Sequence, residues 1–334
     1  MYTVIAALIV FGLLIFIHEF GHFLVAKLSD IRVLEFSLGM GPPVAKVKRG
    51  ETEYSLRVFP LGGFVKMEGE EERVEDPRAF SSKHVLTRMS VIFAGPLMNF
   101  ILAIILIAVI GFFAGVTTTR ISVIPGGPAH KAGIQDGDKI VSIDTVKVDT
   151  WDEVVNLISQ KPNEEIEVVV RRENSNYTYH VKSDIEQESN RGIIGIKAEV
   201  IERSFVESIK SGVEKTFWMS KMILNGIVLI IQGQTKADVV GPVGIIHLVG
   251  EAAKIGFLNL LYLAAVISTN LGLFNLLPIP ALDGSRIFFL GVELLRGKPI
   301  EPEKEGLIHF VGFTLLMILM VFVAYKDIMR YNLF

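Results

Sequence analysis

The sequence of 334 residues contains no cysteine, which excludes disulfides, thiolate metal sites and cysteine nucleophiles. An excess of basic residues is also missing, since 33 Lys and Arg stand against 36 Asp and Glu and the formal net charge is -3. Proteins that bind nucleic acid need a basic field to attract phosphates, so nucleic-acid binding is not expected. Any metal ion must be held by His, Asp or Glu.

Long apolar runs, in contrast, are plentiful, because hydrophobic residues make up 50% of the chain and the mean hydropathy is +0.47. A helix that spans a bilayer needs about 20 apolar residues. Four stretches meet that length, namely residues 4–26, 91–116, 257–277 and 306–325. A shorter stretch, residues 217–231, is interpreted as an interfacial amphipathic helix rather than a fifth span. The sequence therefore predicts a multi-pass α-helical membrane protein with about four transmembrane helices.

The distribution of Lys and Arg predicts how these spans are oriented. No basic residue precedes the first span, whereas residues 27–88 contain eleven. Short loops rich in Lys and Arg remain in the cytoplasm, so this loop is predicted to be cytoplasmic. Alternation then places residues 117–256 on the extracytoplasmic side and residues 285–305 in the cytoplasm.

The cytoplasmic loop has the composition of β structure. Residues 33–36 and 54–59 favour strands, and the glycines and prolines around them favour tight turns. A pair of β-hairpins is therefore predicted within residues 33–67. Unpaired strands cannot lie in lipid, so hairpins that re-enter the membrane must line a protein cavity.

The extracytoplasmic segment resembles a small soluble domain. Residues 121–124, 139–144, 165–171 and 177–182 are rich in Val, Ile and Tyr and favour strands, with two short helices between them. Residues 125–144 resemble the pattern of PDZ domains, which bind extended chain ends by adding a strand to a sheet edge. The fold class is thus a helical membrane protein with re-entrant β-hairpins and one inserted PDZ-like domain.

The first span contains the pattern HExxH, formed by His18, Glu19 and His22. Residues four apart in a helix lie on one face about 6 Å apart, so both imidazoles can bind one Zn²⁺. Glu19 can accept a proton from the water that attacks a carbonyl group. Ionisable side chains in an apolar span are costly and indicate a functional site. Zinc is favoured over another divalent metal by the ligand types alone.

A third protein ligand is expected, because zinc hydrolases commonly use three and leave the fourth position to water. Asp283 follows the third apolar span, and the prolines at 278 and 280 must unwind the end of that helix. An unwound carboxylate-bearing segment is tolerated at membrane depth where it faces a cavity. Asp283 reaches the depth of the two histidines only if residues 217–231 do not cross the membrane. The remaining histidines are interpreted as surface or capping residues: His84, His130, His180, His247 and His309.

Six further motifs accompany HEFGH at residues 18–22. They are FSLGMGP at 36–42, PLGGFVKM at 60–67, AGPLMN at 94–99, the PDZ pattern, GPVGI at 241–245 and NLLPIPALDG at 275–284. In this order they resemble the bacterial site-2 proteases, which are intramembrane zinc metalloproteases, in the branch with a single PDZ domain. HExxH alone is unspecific, but its combination with NxxPxPxLDG in a later span is highly specific.

This resemblance implies a zinc metalloendopeptidase with Zn²⁺ as its cofactor. It assigns His18, His22 and Asp283 as metal ligands and Glu19 as the general acid/base. The residues at these positions match the family pattern without a departure.

The resemblance also implies which residues bind the substrate. Asn275, Pro278 and Pro280 are expected to clamp it. The hairpins, with Gly62 and Gly63 in their second half, are expected to hold it as an added strand.

Family members cut the transmembrane segments of membrane proteins, commonly anti-sigma factors or remnant signal peptides, after another protease has removed the outer domain. The implied function is therefore regulated intramembrane proteolysis. The implied partners are single-span, pre-trimmed membrane proteins and the lipid bilayer, with no nucleic acid. The implied location is the bacterial inner membrane, with the active site towards the cytoplasm and the PDZ-like domain acting outside as a filter.

These expectations divide the chain into eight segments, four of which are transmembrane helices. The helices are 1–28 with HExxH, 91–116, 256–284 with NxxPxPxLDG, and 306–334 with the C-terminus. The segments between them are the hairpin loop 29–90, the PDZ-like domain 117–200, the interfacial helix and linker 201–255, and the cytoplasmic loop 285–305.

Two other classes of function remain open from the sequence alone. A membrane adaptor would use the PDZ-like domain to recruit partners and would hold a structural metal; an open fourth coordination position and an intact Glu19 argue for an enzyme instead. A divalent-cation transporter would need charged residues along several spans, and apart from the site these spans contain mainly amides.

Overall fold

The structure is a computed structural model that describes residues 2–70, 72, 74–186, 189–201, 204–235 and 239–331. The chain forms two compact units. The helical unit comprises Met1–Ile110 and Ile209–Phe334, and the β-rich unit comprises Gly111–Ser208.

The helices and strands follow one another in a regular order along the described chain. The helices are α1 (Tyr2–Leu28), α2 (Val85–Ala114), α3 (Pro128–Ala132), α4 (Trp151–Ser159), α5 (Phe205–Ile231), α6 (Pro242–Ile255), α7 (Phe257–Leu276), α8 (Asp283–Arg296) and α9 (Pro302–Arg330). The strands are β1 (Val33–Arg49), β2 (Thr52–Met67), β3 (Val116–Val123), β4 (Lys139–Ile143), β5 (Val146–Lys147), β6 (Glu165–Arg172), β7 (Ser175–Lys182), β8 (Asp184–Ile185), β9 (Gly192–Ile193) and β10 (Ile196–Ile201).

Four helices of the described chain are long and apolar enough to cross a membrane: α1, α2, α7 and α9. Helix α5 is not among them, although it has 27 residues, because charged side chains occupy its first half. It begins at Phe205, earlier than the predicted interfacial helix at residues 217–231. Its position in the interface remains a prediction.

The core of the helical unit is built from small and aliphatic side chains. Leu14, Ala103 and Ala265, from α1, α2 and α7, have no exposed surface and belong to one apolar cluster. A Cβ atom at Gly212 of α5 would lie 3.3 Å from the Ile104 side chain of α2. Small residues of this kind let helix backbones approach closely, which is how helices associate where lipid removes the hydrophobic driving force.

Strands β1 and β2 form one antiparallel sheet in which each strand pairs with the other twice. Residues 35–38 pair with 53–56 on one side and with 63–66 on the other, and residues 43–49 pair with 52–57. The chain turns back at Gly39, Gly41 and Gly62, all with positive φ. Two predicted hairpins are thus merged into one sheet, whose edge segment, residues 63–67, has no second partner strand among the described residues.

The segment predicted as a cytoplasmic loop at residues 285–305 contains helix α8. Asp283 is the first residue of this helix, and an acidic side chain is favourable there because it faces the positive end of the helix dipole. Gly297 ends α8 in the left-handed conformation with φ 65°. The helix matters for the site because it fixes the backbone of Asp283.

The β-rich unit contains a sheet in the order β10-β3-β4-β6-β7, with β5 paired to β4 and a separate β8-β9 pair. Its core consists of fully buried aliphatic residues such as Ile140, Ile166 and Val168. Helix α4 begins with a capping box between Thr150 and Glu153. Strand β10 was not predicted; it adds to the edge of the sheet beside β3.

A buried carboxylate holds two parts of the β-rich unit together. Asp138 has no exposed side-chain surface and accepts two hydrogen bonds of 2.8 Å from Arg172 and one of 2.9 Å from the Gln135 amide. Burial alone would raise the pKa of Asp138, but these hydrogen bonds and the Arg172 charge lower it below its ordinary value.

We expect Asp138→Asn to destabilise the β-rich unit by about 2 kcal/mol, since hydrogen bonds to a charged group are lost. Because the folded pKa is depressed, the contribution of Asp138 is present above about pH 3.9 and is lost as the pH falls through the folded value. Hydrogen exchange of β4 and β6 amides in the full chain measures both effects. An equal acid sensitivity of the wild type and the variant would contradict this role.

Candidate metal centre

Helix α1 brings the two histidines of HExxH together. His18 and His22 are one turn apart on a 27-residue helix, and their Nε2 atoms are 3.2 Å apart. His22 is buried, and His18 is half-buried. Two imidazole nitrogens this close in an apolar span require either a shared proton or a shared cation.

Asp283 completes the cluster from a distant part of the sequence. Helix α7 ends at Leu276, and Pro278 and Pro280 keep the following residues out of a helix because they have no backbone N–H to donate. The chain then enters α8 at Asp283. Its Oδ2 atom lies 3.1 Å from His18 Nε2 and 3.5 Å from His22 Nε2. The three side chains form the candidate metal cluster, with all ligand atoms within 4.8 Å of one another.

The geometry of this cluster fits Zn²⁺. Bonds of 2.0 to 2.2 Å in a tetrahedral site place neighbouring ligand atoms about 3.3 Å apart. The separations among the three atoms are 3.1, 3.2 and 3.5 Å. Asp283 Oδ2 is also buried without a hydrogen-bond partner, which is costly for a carboxylate unless a cation faces it. Two imidazoles and one carboxylate are ligands that zinc commonly takes.

The tautomer of His22 is fixed by α2. Its Nδ1 atom lies 2.9 Å from the backbone carbonyl oxygen of Val91. A carbonyl oxygen can only accept, so Nδ1 carries the proton and donates it. Nε2 therefore presents a lone pair to the cluster, as a metal ligand must.

His18 has a corresponding partner in Asn99 of α2, whose side chain is fully buried. His18 Nδ1 lies 3.2 Å from the Asn99 amide nitrogen, and Asn99 Oδ1 has no hydrogen-bond partner. When His18 Nε2 binds a metal, Nδ1 must carry the proton and needs an acceptor. Turning the amide by 180° places Oδ1 at that position. Ser268 of α7 fixes the Asn99 backbone by donating to its carbonyl oxygen at 2.7 Å.

Gly95 of α2 lies directly against the His22 imidazole. A Cβ atom at this position would be 2.5 Å from His22 Cε1 and closer still to Nε2. A Cβ at Gly21 would likewise be 2.8 Å from the Ala94 carbonyl carbon. The sequence AGP at residues 94–96 therefore allows α1 and α2 to touch where the metal cluster is formed.

We expect Gly95→Ala to reduce zinc affinity at least tenfold, because the added methyl group displaces the His22 ring from the cluster. Zinc titration of the purified chain against a competing chelator measures the loss. Gly226→Ala is the matched control, since a Cβ atom at Gly226 meets no other atom within 4 Å. Unchanged affinity in Gly95→Ala would mean that the ring has room to move.

Glu19 lies beside the cluster in a cavity of about 1150 Å³. Residues 63–67, the edge segment of the β1–β2 sheet, line the same cavity. Gly63 packs on Glu19 so closely that a Cβ atom there would be 2.9 Å from Glu19 Cγ. The cavity thus brings a carboxylate, the metal cluster and a β edge into one space.

The other predicted substrate residues lie at varying distances from this cavity. Gly62 packs against the Met40 side chain, and Asn275 lies in the last turn of α7. Pro278 and Pro280 lie in the loop before Asp283. Of the predicted substrate residues, only Gly63 is among the described residues that line the cavity.

Sequence reasoning missed the residues that orient the predicted ligands. Asn99 and Gly95 lie in the motif AGPLMN, which was recognised without a role for either residue. The carbonyl group of Val91 carries no sequence signal at all. His309 was interpreted as a surface or capping residue, but it lines the cavity and contacts the loop before Asp283.

Comparison with known proteins places the chain among metallopeptidases. Residues 6–319 match Peptidase family M50. The zinc metalloprotease RasP of Geobacillus kaustophilus is 32% identical, over 99% of each chain. The regulator of sigma-W protease RasP of Bacillus subtilis is 33% identical, over 98% of each chain.

A weaker similarity exists to a solved PDZ domain of an SdrC-like protein from Listeria monocytogenes. The identity is 22% and the TM-score 0.22, covering 26% of this chain and 88% of that domain. The match over residues 6–319 and the identity to both RasP proteins extend over nearly the whole chain, including the metal cluster. The chain is a multi-pass membrane protein and a zinc metalloendopeptidase with Zn²⁺ as its cofactor, and it belongs to peptidase family M50.

Proposed function

We propose that this chain is an intramembrane protease that hydrolyses peptide bonds within the transmembrane segments of other membrane proteins. The observation that carries the proposal is the position of the metal cluster. Two of its residues lie within an apolar helix long enough to span a bilayer, and the third follows another such helix. A hydrolytic site built into spans acts on chains that are themselves in the membrane.

In this proposal His18, His22 and Asp283 hold the zinc ion. Bound there, Zn²⁺ acts as a Lewis acid that lowers the pKa of water and polarises a carbonyl group. Glu19 accepts the proton of the attacking water and transfers it to the leaving amine. The Val91 carbonyl and Asn99 hold the imidazoles in the tautomer that leaves each Nε2 free.

The substrate is proposed to bind as a strand along residues 63–67. A helical substrate hides its carbonyl groups in intrahelical hydrogen bonds, so it must unwind locally, and an edge strand replaces the lost bonds. The edge segment is held beside α8, because Arg286 donates to Glu70 and Glu70 accepts from the Met67 amide at 3.2 Å. Asn275, Pro278, Pro280 and Gly62 support the substrate and the loop around it.

The proposed substrates are single-span proteins such as anti-sigma factors or remnant signal peptides, already trimmed by a first extracytoplasmic cleavage. The β-rich unit, with its PDZ-like sequence pattern, is proposed to lie outside and to exclude bulky uncut proteins. The positive loop at residues 27–88 supports an active site towards the cytoplasm of the bacterial membrane. The eight segments defined from the sequence, with α5 as the interfacial helix, belong to the same proposal.

The proposal is tested by incubating the purified chain with single-span membrane proteins whose outer domains are trimmed or intact. We expect cleavage within the span of trimmed substrates, its loss with a chelator, and its return when zinc is added. Cleavage restricted to soluble loops would contradict an intramembrane site. Zinc binding without cleavage of any member of the set would favour a non-catalytic adaptor.

A further inference from the structure

The loop that carries Asp283 has an unusual backbone. Ala281, two residues before Asp283, has φ 74°, a left-handed conformation that disfavours any residue with a Cβ atom. Glycine would adopt it without strain, but alanine stands here. Something outside the loop must therefore hold this backbone in place.

Helix α9 supplies the contact at Ala281. The Ala281 backbone N–H donates to His309 Nδ1 at 3.1 Å. Because a backbone N–H can only donate, His309 Nδ1 accepts with its lone pair and the ring proton lies on Nε2. The ring is held further by an edge-to-face contact with Phe289 of α8, at a centroid distance of 5.8 Å.

A second contact between α9 and the loop lies one turn further along the helix. A Cβ atom at Gly312 would be 2.9 Å from the Pro280 carbonyl carbon and closer still to Pro280 Cβ. No side chain fits between α9 and the loop at this point. His309 and Gly312 together bind two successive residues of the loop, Pro280 and Ala281, from the same face of α9.

The loop is closed from its other side by α7. A Cβ atom at Gly284 would be 2.5 Å from the Leu276 carbonyl carbon, so the start of α8 lies directly against the end of α7. Asp283 is thus fixed between a contact to α7 at Gly284 and a contact to α9 at Ala281. Only the second of these depends on a hydrogen bond from a side chain.

We propose that α9, which contributes no ligand, sets the position of the third metal ligand, and that His309 is the positioning residue for Asp283. The inference rests on the proposed function, since it takes Asp283 as a zinc ligand. His309 holds Ala281 in the left-handed conformation, and this conformation directs the following residues so that Asp283 reaches the two imidazoles. Ligand-orienting residues of this kind typically change metal affinity 10- to 100-fold when they are removed.

The experiment measures zinc affinity of the purified full chain by titration against a competing chelator. We expect His309→Leu to weaken zinc binding 10- to 100-fold, because the acceptor for the Ala281 amide is lost. His309→Asn places its Oδ1 atom where Nδ1 was and is expected to remain within about threefold of the wild type. His247→Leu is the control, since His247 stacks on Tyr331, far along α9 from His309, and is expected to change nothing.

Hydrogen exchange of the Ala281 amide in the same samples provides a readout that does not depend on zinc. This amide is expected to exchange faster in His309→Leu and to stay protected in His309→Asn. Equal weakening of zinc binding in both variants would overturn the proposal, because it would show that the ring acts only by filling space. Wild-type affinity in His309→Leu would overturn it as well.

Asp283→Ala separates the two levels of inference. If this variant loses zinc and His309→Leu does not, the metal site stands and only the role of α9 fails. If Asp283→Ala binds zinc as the wild type does, the ligand set of the proposed function is wrong and the role of His309 fails with it.

Discussion

Glu19→Gln is expected to retain zinc and to lose at least a thousandfold in the rate of cleavage. Glutamine has the shape of glutamate, so its contact with Gly63 in the cavity is preserved. Its amide cannot accept a proton from water, and general acid–base catalysis contributes 10²- to 10⁴-fold. Glu19 is not one of the three residues of the metal cluster, so the zinc content is expected to stay at one ion per chain. Metal analysis and a cleavage assay on the same preparation measure both quantities.

His22→Phe is the matched variant for this test. Phenylalanine fills the space between α1 and Gly95, but it provides neither a lone pair for the metal nor a donor for the Val91 carbonyl. Both zinc and activity are expected to be lost, with the helices still folded. Cleavage that persists in Glu19→Gln would remove Glu19 as the base, whereas zinc retained in His22→Phe would remove the proposed ligand set.

The ligands of the metal cluster could be predicted because each has a local sequence signal. The spacing of His18 and His22 places them on one helix face, and two prolines before Asp283 force the chain out of a helix within an apolar segment. The proximity of Asp283 to the histidines followed from counting membrane crossings. Chemistry and membrane depth together were sufficient to bring together residues more than 260 positions apart, and the structure places them within 4.8 Å.

The residues that orient the ligands could not be predicted in this way. Asn99 is 81 positions from His18, and His309 is 28 positions from Ala281. Such contacts depend on which helix faces meet, and the pattern of apolar residues in a membrane helix is nearly uniform. The left-handed backbone of Ala281 has no sequence signal either, because glycine is the residue expected there.

The β1–β2 sheet lies between these two cases. Residue composition predicted strands and turns, but the double pairing of residues 35–38 required the chain to reverse at glycines whose order of pairing is set by packing. Phe36 and Val65 are buried in a cluster with Ala26 and Val91, so contacts with α1 and α2 decide which edge remains open. The open edge at residues 63–67 is the part of the sheet that matters for the substrate.

A substrate span with Gly or Pro near the cleavage site is expected to be cleaved faster than a uniform Leu span. The edge segment at residues 63–67 binds only an extended chain, so the substrate helix must open before Glu19 and the metal cluster can reach a carbonyl group. Glycine weakens a helix interior by about 1 kcal/mol and proline by about 3 kcal/mol relative to alanine. If opening limits the rate, glycine is expected to increase cleavage about fivefold and proline on the order of 100-fold. Single-turnover assays of matched spans in the same bilayer measure these ratios.

Preference for the side chain itself could produce the same ranking, and two controls separate the explanations. Gly or Pro placed two turns away from the cleavage site is expected to give little acceleration, because the helix stays closed at the bond to be cut. Short, unstructured peptides with the same residues around that bond have no helix to open, so their rates are expected to converge. Equal cleavage of Leu and Pro spans would contradict strand addition, whereas a Pro preference that persists in the peptides would locate selectivity in side-chain contacts of the cavity.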